Sequence, residues 1–165
     1  MLFVGINPGM RSAATGHHFA GHSNRFWKLL SESGLVPGPL TYLDEDRLPS
    51  WGCGITNLVA RPTPGIADLA PAELTAGRAA LARKVRRWQP RIVALTGVTI
   101  YRALFPAAAG PVRPGLAPER LAGARVFVLP NPSGRNAHYS YADMLAAFVA
   151  LRELVRGAPT PGPRP

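Results

Sequence analysis

Residues 2–9 read LFVGINPG, and residues 126–134 read VFVLPNPSG. Each is a short apolar run that stops at an Asn-Pro step, and the pair decides the fold. A compact apolar run closed by a turn reads as a buried strand. The proline after Asn7 turns that asparagine away from helical dihedrals and toward an extended conformation. Gly5 has no Cβ, and Gly9 permits unusual backbone angles or close approach. The Asn7 amide is thereby held at a strand end. An amide accepts from a water and donates to a carbonyl, but takes no proton at neutral pH. It can position a nucleophile without acting as a general base. A single Asn-Pro step is explained by an Asx-turn, in which the amide serves only local backbone. Two of them, each following an apolar strand, point to a site.

Working outward, residues 55–59 form a second candidate strand and RIVALTG, residues 91–97, a third. Helices fall between them. Ser23 is placed to cap NRFWKLLSES, with Gly34 as its stop. Pro71 suits a first helical position, and the helix from there to Trp88 sets Leu74, Leu81, Val85 and Trp88 on one face. VTIYRALF follows the third strand. Ser140, with Asp143 at the capping-box position, starts YADMLAAFVALRELVR. Strands alternating with helices predict an α/β fold with a mainly parallel sheet of about four strands, covered on both faces. Ligands in such sheets bind beyond the carboxyl ends of the strands, where both Asn-Pro steps lie.

The connections differ in character. NPGMRSAATGHHFAGHS, residues 7–23, is long for a strand-to-helix loop, and loops of that length in compact domains are usually functional. Residues 36–54 are turn-rich and carry the acidic cluster Asp44, Glu45 and Asp46, read as a solvated face. Residues 106–123 are rich in Pro and Gly, with room for a weak hairpin. One domain spans 1–156, and 157–165 form a flexible Pro/Gly-rich tail. The chain begins directly on its first strand, which leaves room for an upstream segment.

At 165 residues and 47% hydrophobic, the chain is long and apolar enough to bury a core. No apolar run approaches the roughly 18 residues of a membrane span, and no signal peptide precedes the first strand. A cytoplasmic protein with no membrane partner is expected. Cys53 is the only cysteine, so a disulfide, a cysteine-built zinc site and a four-cysteine cluster are excluded. His17, His18, His22 and His138 have no spacing that fixes them on one helix face, and no metal or cofactor is expected. The net charge is +10, with 17 arginines and 2 lysines. Such a charge attracts polyanions. It suggests nucleic acid, or a compositional habit, without deciding between them.

With these residues in view, the sequence resembles the mismatch-specific uracil-DNA glycosylases, a bacterial branch of the thymine/uracil mismatch glycosylase family. GINPG (5–9) matches the first family motif and LPNPSG (129–134) the second. FAGHSNRFWKLL (19–30), CGITNLVARPT (53–63) and the WQP at 88–90 fall in family order. The resemblance implies a three-layer α/β/α sandwich. It also implies an enzyme that flips uracil from a G·U mispair and cleaves the base–sugar bond without metal or cofactor. Asn7 matches the asparagine that places the attacking water. Gly5 and Ile6 match the backbone of the base pocket, and Phe19 the aromatic that stacks on the flipped base. Asn131 belongs to the second motif. Ser133, Gly134, Arg135, Asn136 and Ala137 match the loop that wedges the duplex and touches the opposite guanine. Arg11, Lys28 and Arg135 are candidates for phosphate contacts.

The chain departs from the family at two positions. Arg135 stands where an apolar leucine wedge is common; an arginine can stack on bases or pair with guanine. Asn57 stands where mismatch-specific relatives often carry lysine. Better-known uracil glycosylases place there an asparagine that reads the pyrimidine edge. Asn57 is therefore expected either to bind uracil and widen activity to other contexts or to satisfy strand-end backbone. Among the nine carboxylates, Asp68 lies just past the second strand, on the rim of the site. It is expected either to reach the cleft as a catalytic group or to cap a turn. Lys28 and Lys84 sit on no motif, which predicts a monofunctional enzyme without a Schiff-base amine.

The expectation is thus a monomeric, monofunctional glycosylase of base excision repair. Its partner is double-stranded DNA with G·U or related mispairs, with thymine or other damaged pyrimidines as further substrates. The rival reading is a non-catalytic module that senses mispairs through the same cleft.

Overall fold

The computed structural model describes residues 1–157. The strands are β1 (Leu2–Gly5), β2 (Gly54–Asn57), β3 (Ile92–Thr96), β4 (Gly115–Leu121) and β5 (Ala124–Leu129). The helices are α1 (Met10–Thr15), α2 (Phe26–Glu32), α3 (Pro71–Trp88), α4 (Val98–Leu104) and α5 (Tyr141–Gly157). A 3-10 segment, Tyr42–Trp51, leads into β2, and a 3-10 turn, Ile66–Asp68, leads into α3. The sheet order is β2-β1-β3-β5-β4. All neighbours are parallel except β4, which pairs antiparallel with β5.

Alternation along the strands builds two cores. Phe3, Ile92, Ala94, Phe127 and Leu129 face one way and pack against α2, α5 and the 3-10 segment through Phe26, Leu29, Leu48, Met144 and Phe148. Val4, Val93, Leu95, Val126 and Val128 face the other way, against Leu81 and Val85 of α3 and Ile100 and Leu104 of α4. The central strands are apolar on both faces because both are covered. The result is the expected three-layer α/β/α sandwich. The chain runs from β1 to β2 on one side, and β3 then lies on the other side of β1. This reversal opens a crevice beyond the carboxyl ends of β1 and β3, where open α/β sheets bind ligands.

Several local expectations need correction. Among the described residues the sheet has five strands, because the Pro/Gly-rich stretch supplies β4 as an edge strand with a register shift between Leu116 and Arg120. Proline and glycine are tolerated at such edges. Part of the long loop is helix α1, which has no buried residue and so no apolar stripe to announce it. Ser23 does not cap α2: the cap position is Arg25, without a side-chain cap bond, and it is Asn24, one residue earlier, whose Oδ1 accepts from Phe26 N–H at 2.9 Å. Trp88 is 70% exposed; it keeps the helical spacing of Leu81 and Val85 but sits on the final residue of α3. Ser140 and Asp143 do cap α5, with the Ser140 hydroxyl accepting from Asp143 N–H at 3.1 Å and Asp143 Oδ2 accepting from Ser140 N–H at 3.0 Å. Gly157 ends α5; the remainder of the expected tail lies outside the described residues.

Candidate active site

The crevice holds a cleft of about 800 Å³ walled by the β1 and β2 ends, the 16–24 loop, the 60–66 loop, the start of α4 and the second Asn-Pro loop. Gly5, Ile6, Asn7, Phe19, Asn57, Asn131, Ser133, Arg11 and Arg135 all reach it. Residues far apart in sequence thus converge as the motifs suggested. Lys28 and Asp68 are not part of its wall.

Asn7 is half-buried, and its amide orientation is fixed by its partners. Nδ2 donates to the Arg61 carbonyl at 3.0 Å and to Thr63 Oγ1 at 2.7 Å. A carbonyl oxygen can only accept, so Nδ2 must be the atom facing it. Both amide hydrogens are then used, and Oδ1 is left as an acceptor with no protein donor among the described residues. Gly9, by contrast, has ordinary extended backbone at φ −69°, and a Cβ there would meet nothing within 4 Å. Its conformational freedom is not needed.

Gly5 and Asn57 face each other across the β1–β2 pair in direct register. A Cβ on Gly5 would come within 2.5 Å of Asn57 Oδ1 and 3.4 Å of Phe19 Cζ. The glycine is required by this close approach. The Asn57 amide makes no hydrogen bond within the described protein and stays available to a ligand in the cleft. The Phe19 ring stacks on Phe26 with centroids 4.1 Å apart and also borders the cleft. Phe19 has φ +53°, a left-handed conformation uncommon for a bulky residue.

The loop that bears Phe19 is held by contacts the sequence did not reveal. The Glu45 carboxylate accepts from His18 N–H at 2.8 Å and lies 2.5 Å from His18 Nδ1, with His17 Nδ1 at 3.6 Å. Trp27 Nε1 donates to the His18 carbonyl and Arg11 Nε to the Ala20 carbonyl. Burial raises the Glu45 carboxyl, but the hydrogen bonds from His18 and the nearby His18 and His17 charges outweigh it and leave it below its ordinary 4.5. Glu45 is therefore an anchor for the loop and not part of a solvated face.

The second Asn-Pro loop is internally bonded. Asn131 Oδ1 accepts from Ser133 N–H at 3.0 Å, an Asx-turn, which leaves Nδ2 to face a ligand. Asn136 Nδ2 donates to the Asn131 carbonyl at 2.9 Å, and Arg25 N–H to the Pro132 carbonyl at 2.9 Å. Gly134 is packed so tightly on Ser23 that a Cβ would fall 2.5 Å from the Ser23 Cβ. Arg135 stands exposed at the cleft mouth on this stiff support.

Two of the expected site residues lie outside the cleft. Asp68 is exposed, and its Oδ2 accepts from Gly65 N–H at 3.1 Å. An acid three residues past the start of a turn meets that N–H directly, so Asp68 caps the turn and does not reach the cleft. Lys28 is 3.7 Å from Glu32 and 4.9 Å from the Tyr141 ring centroid, on the outer surface of α2. Among the described residues no Asp, Glu or Lys lines the cleft, and its ionisable side chains are Arg11, Arg135, His17 and His18. Among the described residues no group of three or more His, Cys, Asp or Glu is placed to hold a metal ion, and no helix is long and apolar enough to cross a membrane.

The profile of the uracil DNA glycosylase superfamily matches residues 1–153. A Schizosaccharomyces pombe protein named G/U mismatch-specific uracil DNA glycosylase is 42% identical over 147 residues. These cover 84% of this chain and 45% of that relative, so the chain spans less than half of the relative's length.

Proposed function

The chain belongs to the uracil DNA glycosylase superfamily, and on that footing we propose that it is a monofunctional glycosylase releasing uracil from G·U mispairs in duplex DNA. One observation carries the reading. Asn7 presents an unpartnered Oδ1 to a cleft that also offers an aromatic face and an unpartnered amide, and that contains no carboxylate. The yeast relative's name, which specifies a G/U mismatch, supports the substrate.

The chemistry follows from these groups. A base inside the stack cannot be attacked, so uracil must be flipped out, at a cost of a few kcal/mol that a weak wobble pair lessens. The Phe19 ring offers it a stacking surface, worth about 1–3 kcal/mol per base in comparable contacts. The Asn57 amide can donate to a uracil carbonyl and accept from the ring N–H. Asn7 Oδ1 accepts from a water and holds it against the sugar. An amide removes no proton, so the glycosidic bond must be largely broken before water attacks. The sugar then has oxocarbenium character, as in other glycoside hydrolyses. A cleft free of carboxylates, with Arg11 and Arg135 at its edge, suits departure of uracil as an anion. The general base that this site lacks would be worth about 10²–10⁴-fold, so turnover should be slow.

Lys84 Nζ donates to Thr56 Oγ1 at 2.7 Å, and neither lysine reaches the cleft, which supports a reaction without a Schiff base. Arg135 takes the place of an apolar wedge and can meet the opposite guanine through its fork. The test is a gel assay on labelled duplexes carrying G·U, A·U or G·T and on single-stranded uracil. Strand cleavage of the G·U duplex only after alkali is expected. Binding without base release on every substrate would favour a mispair sensor and overturn the proposal.

A further inference from the structure

We propose that Thr63 and Arg61 are positioning residues that set the direction of the Asn7 amide and so determine whether a water can be held. The proposal rests on Asn7 being the residue that places the water.

An asparagine amide can turn over and exchange its oxygen for its nitrogen. Only one of the two orientations can accept from water in the cleft. The Arg61 carbonyl accepts one Nδ2 hydrogen at 3.0 Å and Thr63 Oγ1 the other at 2.7 Å. A hydroxyl could serve either orientation, since it both donates and accepts. Here it cannot, because its own hydrogen goes to the Gly65 carbonyl at 2.6 Å. Thr63 is 3% exposed, so no solvent competes for that hydrogen. Its hydroxyl is fixed as an acceptor toward Asn7.

The loop that carries these acceptors is itself fastened. Arg61 Nε and Nη2 grip the two carboxylate oxygens of Glu73 at 2.7 and 2.8 Å, and Nη2 also donates to the Asp68 carbonyl at 2.8 Å. Thr63 N–H donates to the Pro8 carbonyl at 3.2 Å. Glu73, at the start of α3, also accepts from Ala70 N–H. A continuous run of contacts therefore links the first turn of α3, through Arg61, to Nδ2 of Asn7. The carboxylates of this rim hold the frame; none touches the cleft.

The test measures single-turnover uracil release and duplex affinity for Thr63→Val, Thr63→Ser and Arg61→Lys, and for Thr63→Val combined with Asn7→Ala. Valine keeps the shape and removes the acceptor. Release by Thr63→Val should fall about ten- to hundredfold, the scale of one lost hydrogen bond up to a misplaced reactant. Affinity should stay unchanged. Thr63→Ser should restore most of the rate. Arg61→Lys, which keeps charge but loses the fork, should slow release in the same way. In the Asn7→Ala background Thr63→Val should cost nothing further. A parental rate for Thr63→Val beside a slow Asn7→Ala, or losses that multiply, would overturn the inference. Failure of the parent to release uracil, or a fast Asn7→Ala, would instead remove the functional reading on which it rests. Should Thr63→Val not fold, NMR of the parent decides. The side-chain amide signals that vanish in Asn7→Ala should show slow solvent exchange, and fast exchange would refute the hold.

Discussion

Replacing Gly5 by alanine probes the proposed base pocket where Asn57 and Phe19 approach the strand backbone. The added Cβ would lie 2.5 Å from Asn57 Oδ1 and 3.4 Å from Phe19 Cζ. The first is an overlap, and the second is ordinary contact. The Asn57 amide, which lines the cleft, must therefore turn away from β1. Overpacking of this kind costs about 1–3 kcal/mol. The lower end applies, because the Asn57 amide has no protein hydrogen bond to lose. At this size 1 kcal/mol moves Tm by about 2–4 °C, so thermal unfolding should shift by only about that much. The effect on the reaction is larger. A displaced amide forfeits up to two hydrogen bonds to the uracil edge, about 1–3 kcal/mol together. That is about five- to 150-fold in kcat/KM for uracil release from a G·U duplex. The loss should sit in KM, since Asn7 is untouched. Asn57→Ala removes the oxygen that Gly5→Ala strikes, so in that background Gly5→Ala should cost much less. Parental kcat/KM for Gly5→Ala, or an equal loss with and without Asn57, would refute the reasoning.

Two further outcomes are expected. Glu45→Gln should loosen the loop that holds Phe19 at φ +53°, raising KM more than it lowers kcat. The Glu45 carboxyl is lowered in the folded protein, so its stabilisation is complete above its ordinary 4.5 and disappears as pH falls through the lowered value. Thermal unfolding of the parent below that pH should accordingly converge on that of Glu45→Gln, and a constant difference down to strongly acid pH would contradict the assignment. Arg135→Leu, which exchanges a guanidinium fork for an apolar plug, should narrow the preference for guanine over adenine opposite uracil in matched duplexes; an unchanged ratio would show that Arg135 does not read the opposite base.

The parts of the site legible in the sequence were those fixed by local grammar. A strand followed by Gly-Ile-Asn-Pro placed Asn7 correctly, because proline and strand end act on adjacent residues. Its relation to Asn57 and Phe19 followed from the parallel sheet and the family motifs. Thr63 and Arg61 stayed hidden because their bonds to Asn7 span 56 and 54 residues, and nothing in ARPT reveals which atom meets Asn7. Glu45 looks like a solvated acid for the same reason: its nearest partner, His18, lies 27 residues away. Asp68 shows the opposite failure, where position on the rim suggested chemistry and a three-residue capping geometry took the carboxylate. Helix α1 lacks a buried face, and β4 is short of apolar alternation, so periodicity could announce neither. Trp88 kept the helical spacing but lies on the last residue of α3.

The central claim is that Asn7 Oδ1 holds the attacking water. The most direct measurement compares Asn7→Ala with the parent on one G·U duplex, with binding and single-turnover uracil release recorded separately. The duplex should still bind with parental affinity while release falls at least about a hundredfold, the scale of losing a positioned reactant. Release at the parental rate by Asn7→Ala, with binding intact, would contradict it.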